Sequence, residues 1–427
     1  MKGVSADWAL GFLTVGLRAA TLASKLLLVL FLARTLPASE LGLFGLMVAA
    51  AGFGVVALGV EFHAFAIREL ISADDARRAT MLRDQAVFFV ISAALVLPLM
   101  LAFFQLDILP WQLLVWFYPL LVLEYLAHEA TRVLIALSRP TAGYIVLFIR
   151  SAAWVYFVIG WFFWSGGATI TTVWILWLVG VAASVVVAVV KFGRMPWRHV
   201  LHTPVNWRWI GQGIRTAPPF LITAAAALSL MYIDRFFIRA YQDLSALGVY
   251  TFFSGIAVGL HTLVQTGVLS LRIPRIVSAS RAGDTVKFEQ EMSSLLKATA
   301  AGALIIVAPA VLAIYPMVWI IGRPEYIASV GVFFVLLAGT LVRCIAEVFV
   351  YRLYARHQDL HLLAVNGLSF AVVLVGNLML VPVYGIMGAA TANVVAALSL
   401  GFAAFSMRHA KSRTQIFHEP PSQEGQM

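Results

Sequence analysis

Residues 33–46 read ARTLPASELGLFGL and residues 238–252 read IRAYQDLSALGVYTF. Each joins the end of one long apolar run, through a short polar turn, to the start of the next. Aligned on Leu41-Gly42 and Leu247-Gly248, the two lie 206 residues apart (247 − 41), close to half of the 427-residue chain. The spacing predicts two halves of like design.

Working outward, apolar runs fall near 9–33, 43–66, 85–106, 112–137, 142–164 and 170–191, then near 212–238, 246–272, 297–320, 327–353, 360–381 and 386–408. Each is about 20 residues long, the length of a helix that crosses a bilayer, and none alternates as barrel strands do. Composition agrees: 62% of residues are hydrophobic and 12% charged, against about 45–50% and about 25% in soluble domains. Mean hydropathy is +0.92. A soluble globule is excluded. The chain reads as an all-α integral membrane protein of about twelve transmembrane helices in two six-helix repeats around a central cavity. Residues 1–205 form the first half, 206–411 the second, and the polar stretch 412–427 a disordered cytoplasmic tail.

The net charge of +10 has a topological reading. With both termini cytoplasmic, most basic residues, among them Arg68, Arg77, Arg78, Arg83, Arg272, Arg275, Arg352 and Arg356, fall in internal loops or adjoining helix ends, whereas Arg34, Arg239 and Arg323 fall outside. The basic internal loops either only set orientation or hold short surface helices against anionic lipid. Arg18 and Lys25 interrupt the first apolar run and no A-x-A-like site follows, so it reads as a span and not a cleaved signal. One cysteine, Cys344, excludes an intrachain disulfide.

Three segments carry a resemblance: SKLLLVLFLARTLPASELGLFGL (24–46); APPFLITAAAALSLMYIDRFFIRAYQDLSALGVY (217–250) with IPRIVSA (273–279); and NLMLVPVYGIMGAATANVVA (377–396). With the span count, they resemble the polysaccharide flippases, O-antigen and exopolysaccharide repeat-unit carriers, of the multidrug/oligosaccharidyl-lipid/polysaccharide exporter superfamily. The resemblance implies a bacterial inner-membrane translocase that moves undecaprenyl-pyrophosphate-linked oligosaccharide to the periplasmic leaflet. A polysaccharide polymerase and a chain-length regulator are its implied partners. The lipid II flippases of that superfamily usually have fourteen spans, from which this chain departs.

An anionic, hydrated headgroup needs a wet cationic vestibule to cross hydrocarbon, and a charge at depth costs about 2.5–3.5 kcal/mol on insertion scales. The basic residues left within spans are therefore substrate candidates: Arg18, Lys25, Arg150, Arg343 and Arg235. Arg18 and Lys25 are seven apart, on one helical face. Each has a plainer reading as one half of a structural ion pair, Arg343 with Glu347 four residues on, and Asp234-Arg235 as an interfacial anchor. Glu124, His128 and Arg132 line one face of the fourth span and could relay protons or fix packing. Glu61 with His63 in the second span, Asp234 and Glu347 complete the ion-coupling candidates, and His261 with Gln265 read as interhelical hydrogen-bond partners. Pro218-Pro219 is expected to bend the seventh span as a lateral gate. Trp111, Trp116, Trp161, Trp164, Trp174, Trp177, Trp197 and Trp207 read as an interfacial belt.

No phosphate-binding loop, zinc-ligand spacing or nucleophile elbow is present, so no cofactor, metal or nucleic acid is expected and transport is passive or gradient-driven. Two other readings remain: a multidrug or cation antiporter of the same architecture, whose cavity should be acidic, and a membrane-embedded polymerase or glycosyltransferase, which the short external turns disfavour.

Overall fold

A computed structural model of the chain describes residues 2–407 except 168, 194, 201 and 202, and the side chains of 2–15, 18, 198 and 199 lie outside the described residues. So does the tail 412–427. The long helices are α1 (Lys2–Thr35), α2 (Ala38–Gly59), α3 (His63–Ser72), α4 (Asp75–Gln105), α5 (Trp111–Ala136), α6 (Pro140–Ser165), α7 (Ile170–Phe192), α8 (Trp207–Thr216) and α9 (Pro218–Tyr241). They continue with α10 (Leu244–Arg281), α11 (Thr285–Ile321), α12 (Val330–Ala355) and α13 (Asp359–Ser406). Ten of these, among the described residues, are long and apolar enough to cross a membrane. Helix α1 adds another by its 34 residues, about 50 Å of helix. Helix α13 counts twice, because its backbone leaves helical geometry at Gly385 (φ 54°, ψ −134°) and doubles back. Among the described residues twelve spans result, in an all-helical multi-pass membrane protein.

Helix starts follow local chemistry. Asp74 caps α4 by accepting the Arg77 N–H at 2.8 Å, and Asn206 caps α8 by accepting the Trp209 N–H at 3.0 Å. Pro218 and Pro219 occupy the first positions of α9, where a missing N–H leaves nothing unpaired. They begin the span and do not bend it, contrary to the expected gate.

The end of α2 also departs from expectation. Val60 and Glu61 are both left-handed (φ 48° and 56°), which stops the helix at Gly59. This conformation is rare for a β-branched residue. Glu61 and His63 therefore lie in the joint and at the start of α3, not within the second span. Ser92 of α4 donates to the Leu58 carbonyl at 2.7 Å, satisfying an acceptor at that helix end. The short helices α3, after α2, and α8, before α9, meet where Phe62, Phe65, Phe88 and Trp209 pack together.

The chain divides into two compact units, Met1–Gly259 with Pro316–Ser329, and Leu260–Tyr315 with Val330–Met427. In the first, Phe44, Trp154, Trp174 and Trp177 stack in the interior. Trp174 and Trp177 are buried, so these two leave the expected interfacial belt, whereas Trp111, Trp161, Trp164 and Trp207 are exposed. In the second unit, Val264, Ala303 and the free thiol Cys344 are packed together.

Candidate functional site

Helix α5 carries the polar stripe expected from its spacing, and the structure supplies its partners. Glu124 accepts a hydrogen bond from the Trp177 indole at 2.8 Å and lies 3.6 Å from the Arg150 guanidinium. Arg150 sits in a π-helical turn (Ile149–Ala153) of α6. Such turns displace a side chain from its regular helical direction and recur at functional sites. The Arg150 Nε is buried without a hydrogen-bond partner.

Lys25 of α1 lies within electrostatic reach of both Arg150 and Glu124. Its side chain is exposed and makes no ion pair or hydrogen bond among the described residues. Two cations thus lie near one carboxylate, which pairs with Arg150 and not with Lys25. The Arg18 side chain lies outside the described residues.

One turn further along α5 the balance reverses. Arg132 donates to Glu129 at 3.1 Å and meets the His63 ring at 2.8 Å, with Glu61 3.5 Å from the same ring nitrogen. Gln85 of α4 donates to the other Glu129 oxygen at 3.0 Å. His128 is in electrostatic reach of Lys25, Arg150, Arg132 and His63. Among its described residues the first unit therefore holds one group of two cations near a carboxylate, and another of Arg132 with Glu61, Glu129 and His63. Among the described residues, no cluster of three or more His, Cys, Asp or Glu could hold a metal ion.

The other candidates are placed apart. Asp234 and Arg235 are buried. The Tyr250 hydroxyl donates to Asp234, and Arg235 donates to the Gly45 carbonyl at 2.7 Å while lying over the Tyr232 ring. These contacts tie α9 to α2 and α10 in the interior, and neither residue is drawn into the Lys25–Arg150 group. In the second unit Arg343 pairs with Glu347 at 3.3 Å, and Glu347 also accepts from His261 at 2.9 Å. The intrahelical pair and the interhelical role of His261 are both realised, and Gln265 bonds Tyr351.

Sequence spacing missed Glu129, Gln85 and Trp177. Glu129 lies three residues before Arg132, a spacing that places them side by side on a helix, and could have been found by it. Gln85 and Trp177 give no comparable signal.

No family model matches the chain, and none of the curated proteins matches it. The fold is nevertheless shared with solved structures. The chain superimposes on the lipid II flippase MurJ in an inward closed conformation with a TM-score of 0.67 and 12% identity, over 93% of this chain and 87% of that one. It superimposes on an inward-facing multidrug resistance MATE family transporter of the MOP superfamily with a TM-score of 0.70 and 12% identity, over 91% and 93%. The fold of this chain is that of these helical membrane proteins.

Proposed function

We propose that the protein is a flippase for undecaprenyl-pyrophosphate-linked oligosaccharide. It carries repeat units for O-antigen, capsule or exopolysaccharide from the cytoplasmic to the periplasmic leaflet of a bacterial inner membrane. One observation carries the reading: Lys25 and Arg150 lie within electrostatic reach of each other in spanning helices, and the one carboxylate near them, Glu124, pairs with Arg150 alone. An uncompensated cation at depth is costly, and a pyrophosphate offers the missing negative charge. Arg150 suits forked contact with phosphate oxygens, and Lys25 supplies a point charge. Likeness in fold to a lipid II flippase supports the same reading. The adjoining Glu61–His63–Arg132–Glu129 group, reached through His128, is assigned to coupling with an ion gradient that drives alternating access. Arg18 extends the cationic row on α1, and the halves 1–205 and 206–411 are the moving parts.

The test is surface glycan in a strain carrying Lys25→Gln with Arg150→Gln. Export is expected to fail, with lipid-linked repeat units accumulating, while the protein stays inserted. Normal glycan in that strain overturns the assignment. Likeness to a MATE transporter, with the carboxylates Glu61 and Glu129, favours a cation antiporter as the second reading. Drug resistance lost on deletion, with glycan unchanged, would establish it instead.

A further inference from the structure

The second unit holds an open cleft of about 1060 Å³ away from the groups already described, lined among others by Arg272 of α10 and by Glu289, Ser293, Ser294 and Lys297 of α11. Its charge balance is one-sided. Glu289 lines the cleft, but its carboxylate is held from a neighbouring helix: Arg352 of α12 donates to both its oxygens, one at 2.9 Å, and Arg356 approaches at 3.2 Å. Both guanidinium groups lie over the Phe288 ring, Arg352 at 5.5 Å and Arg356 at 4.8 Å from its centroid. Burial and the charge of Arg352 lower the pKa of Arg356 from its ordinary value. That carboxylate is therefore spent on two arginines. The cleft keeps Arg272, which donates to the Ser294 hydroxyl, and Lys297, which is exposed and makes no ion pair or hydrogen bond among the described residues.

The position along α11 narrows the ligand. Beyond Lys297 the same face continues through exposed Ala301, Leu304, Ile305 and Leu312, an apolar stripe that belongs to hydrocarbon. Beside Arg272, Leu271 is 69% exposed. The two cations thus stand where a helix face turns from polar to apolar, the level of lipid phosphates.

We propose that this cleft binds the phosphate headgroup of an anionic phospholipid, with Arg272 and Lys297 on the phosphate, the Ser293 and Ser294 hydroxyls as further donors, and the acyl chains along the α11 stripe. On the orientation proposed above this is the cytoplasmic leaflet, whose surface potential adds to the attraction. The site is separate from Lys25 and Arg150 and acts on a resident lipid, not the transported one.

The experiment uses the full-length protein in detergent, with native mass spectrometry counting bound phosphatidylglycerol against phosphatidylcholine. Wild type is expected to retain phosphatidylglycerol selectively. R272Q/K297Q is expected to bind it roughly tenfold more weakly or worse, whereas R281Q/K287Q, of equal charge change outside the cleft, binds as wild type. Ser293→Trp fills the cleft without changing charge and is expected to show the same loss, which keeps the test open if R272Q/K297Q does not fold. Unchanged binding in the cleft variants, or equal loss in R281Q/K287Q, overturns the proposal. So does displacement of the lipid by an equal concentration of inorganic phosphate, which would mark a site for a soluble anion. Surface glycan measured alongside separates the two hypotheses: normal export with lost lipid leaves the flippase standing, and wild-type lipid retention with failed export in the Lys25 and Arg150 variants leaves the cleft standing.

Discussion

Gly42 of α2 and Gly248 of α10 occupy a reciprocal contact. A Cβ on Gly248 would stand 1.7 Å from the Ala38 carbonyl oxygen, and one on Gly42 would stand 2.2 Å from the Leu244 carbonyl oxygen. The four positions are two pairs at the offset seen in the sequence (244 − 38 and 248 − 42, both 206), so each partner touches in the other what the other touches in it. That reciprocity is the mark of a two-fold relation, here within one chain. The obstacles are backbone atoms, which cannot rotate aside. Gly248→Leu and Gly42→Leu should each lower stability by at least about 1–3 kcal/mol. Gly52→Ala, whose Cβ would meet only the Leu228 side chain at 3.6 Å, should leave it unchanged or slightly raised. Thermal unfolding of the purified variants in detergent checks the contrast.

Glu124 and Arg150 should be coupled energetically. The side chains are 17% and 13% exposed, so removing the carboxylate strands a mostly buried guanidinium. Glu124→Ala is expected to cost about 2–4 kcal/mol, and E124A combined with R150Q less than the sum of the two single changes, by about 1–3 kcal/mol. Additive losses in the double-mutant cycle would show that the pair does not interact.

Gly385 should resist substitution for a different reason from Gly42 and Gly248. At φ 54° and ψ −134° it lies in a region that L-residues rarely occupy, so Gly385→Ala should cost about 1–3 kcal/mol. The readout is the fraction of protein that remains monodisperse in detergent after heating, compared with Gly367→Ala, where a Cβ meets nothing within 4 Å.

Arg83 should control the connection between the two sequence halves. Its guanidinium donates to the carbonyls of Val200, Thr203 and Pro204, and its neighbour Asp84 accepts the Asn206 N–H at 3.3 Å. Arg83→Ala removes three of these bonds at once. Limited proteolysis should then cut within 196–206 several times faster than in wild type, with other sites unaffected.

Most of the fold was legible because a bilayer imposes one length and one hydrophobicity on every spanning helix. Among the described residues the apolar runs alone locate the spanning helices to within a few residues at most ends. The exceptions have local causes. Ala64, Phe65 and Ala66 continue the apolar pattern past Gly59, so the second run looked unbroken. Val60 and Glu61 stop the helix in a conformation their side chains disfavour, which no residue type announces. Pro218-Pro219 read as a kink because the span was expected to start near residue 212, whereas the amphipathic α8, with Gln212 and Arg215, ends at Thr216 and the prolines open α9. At the site, regular spacing exposed Glu124, His128 and Arg132, while the direction of Arg150 depends on a π-helical turn without a sequence mark. Trp177 looked like a membrane-surface residue until α7 placed its indole on Glu124.

The doubling back of α13 bears on how the chain is made. Its two arms, 359–384 and 386–406, meet at a single residue, so the far side of the membrane receives no tether of any length from them. Neither arm can settle while the other waits outside. The pair is expected to slip into the bilayer as one closed finger.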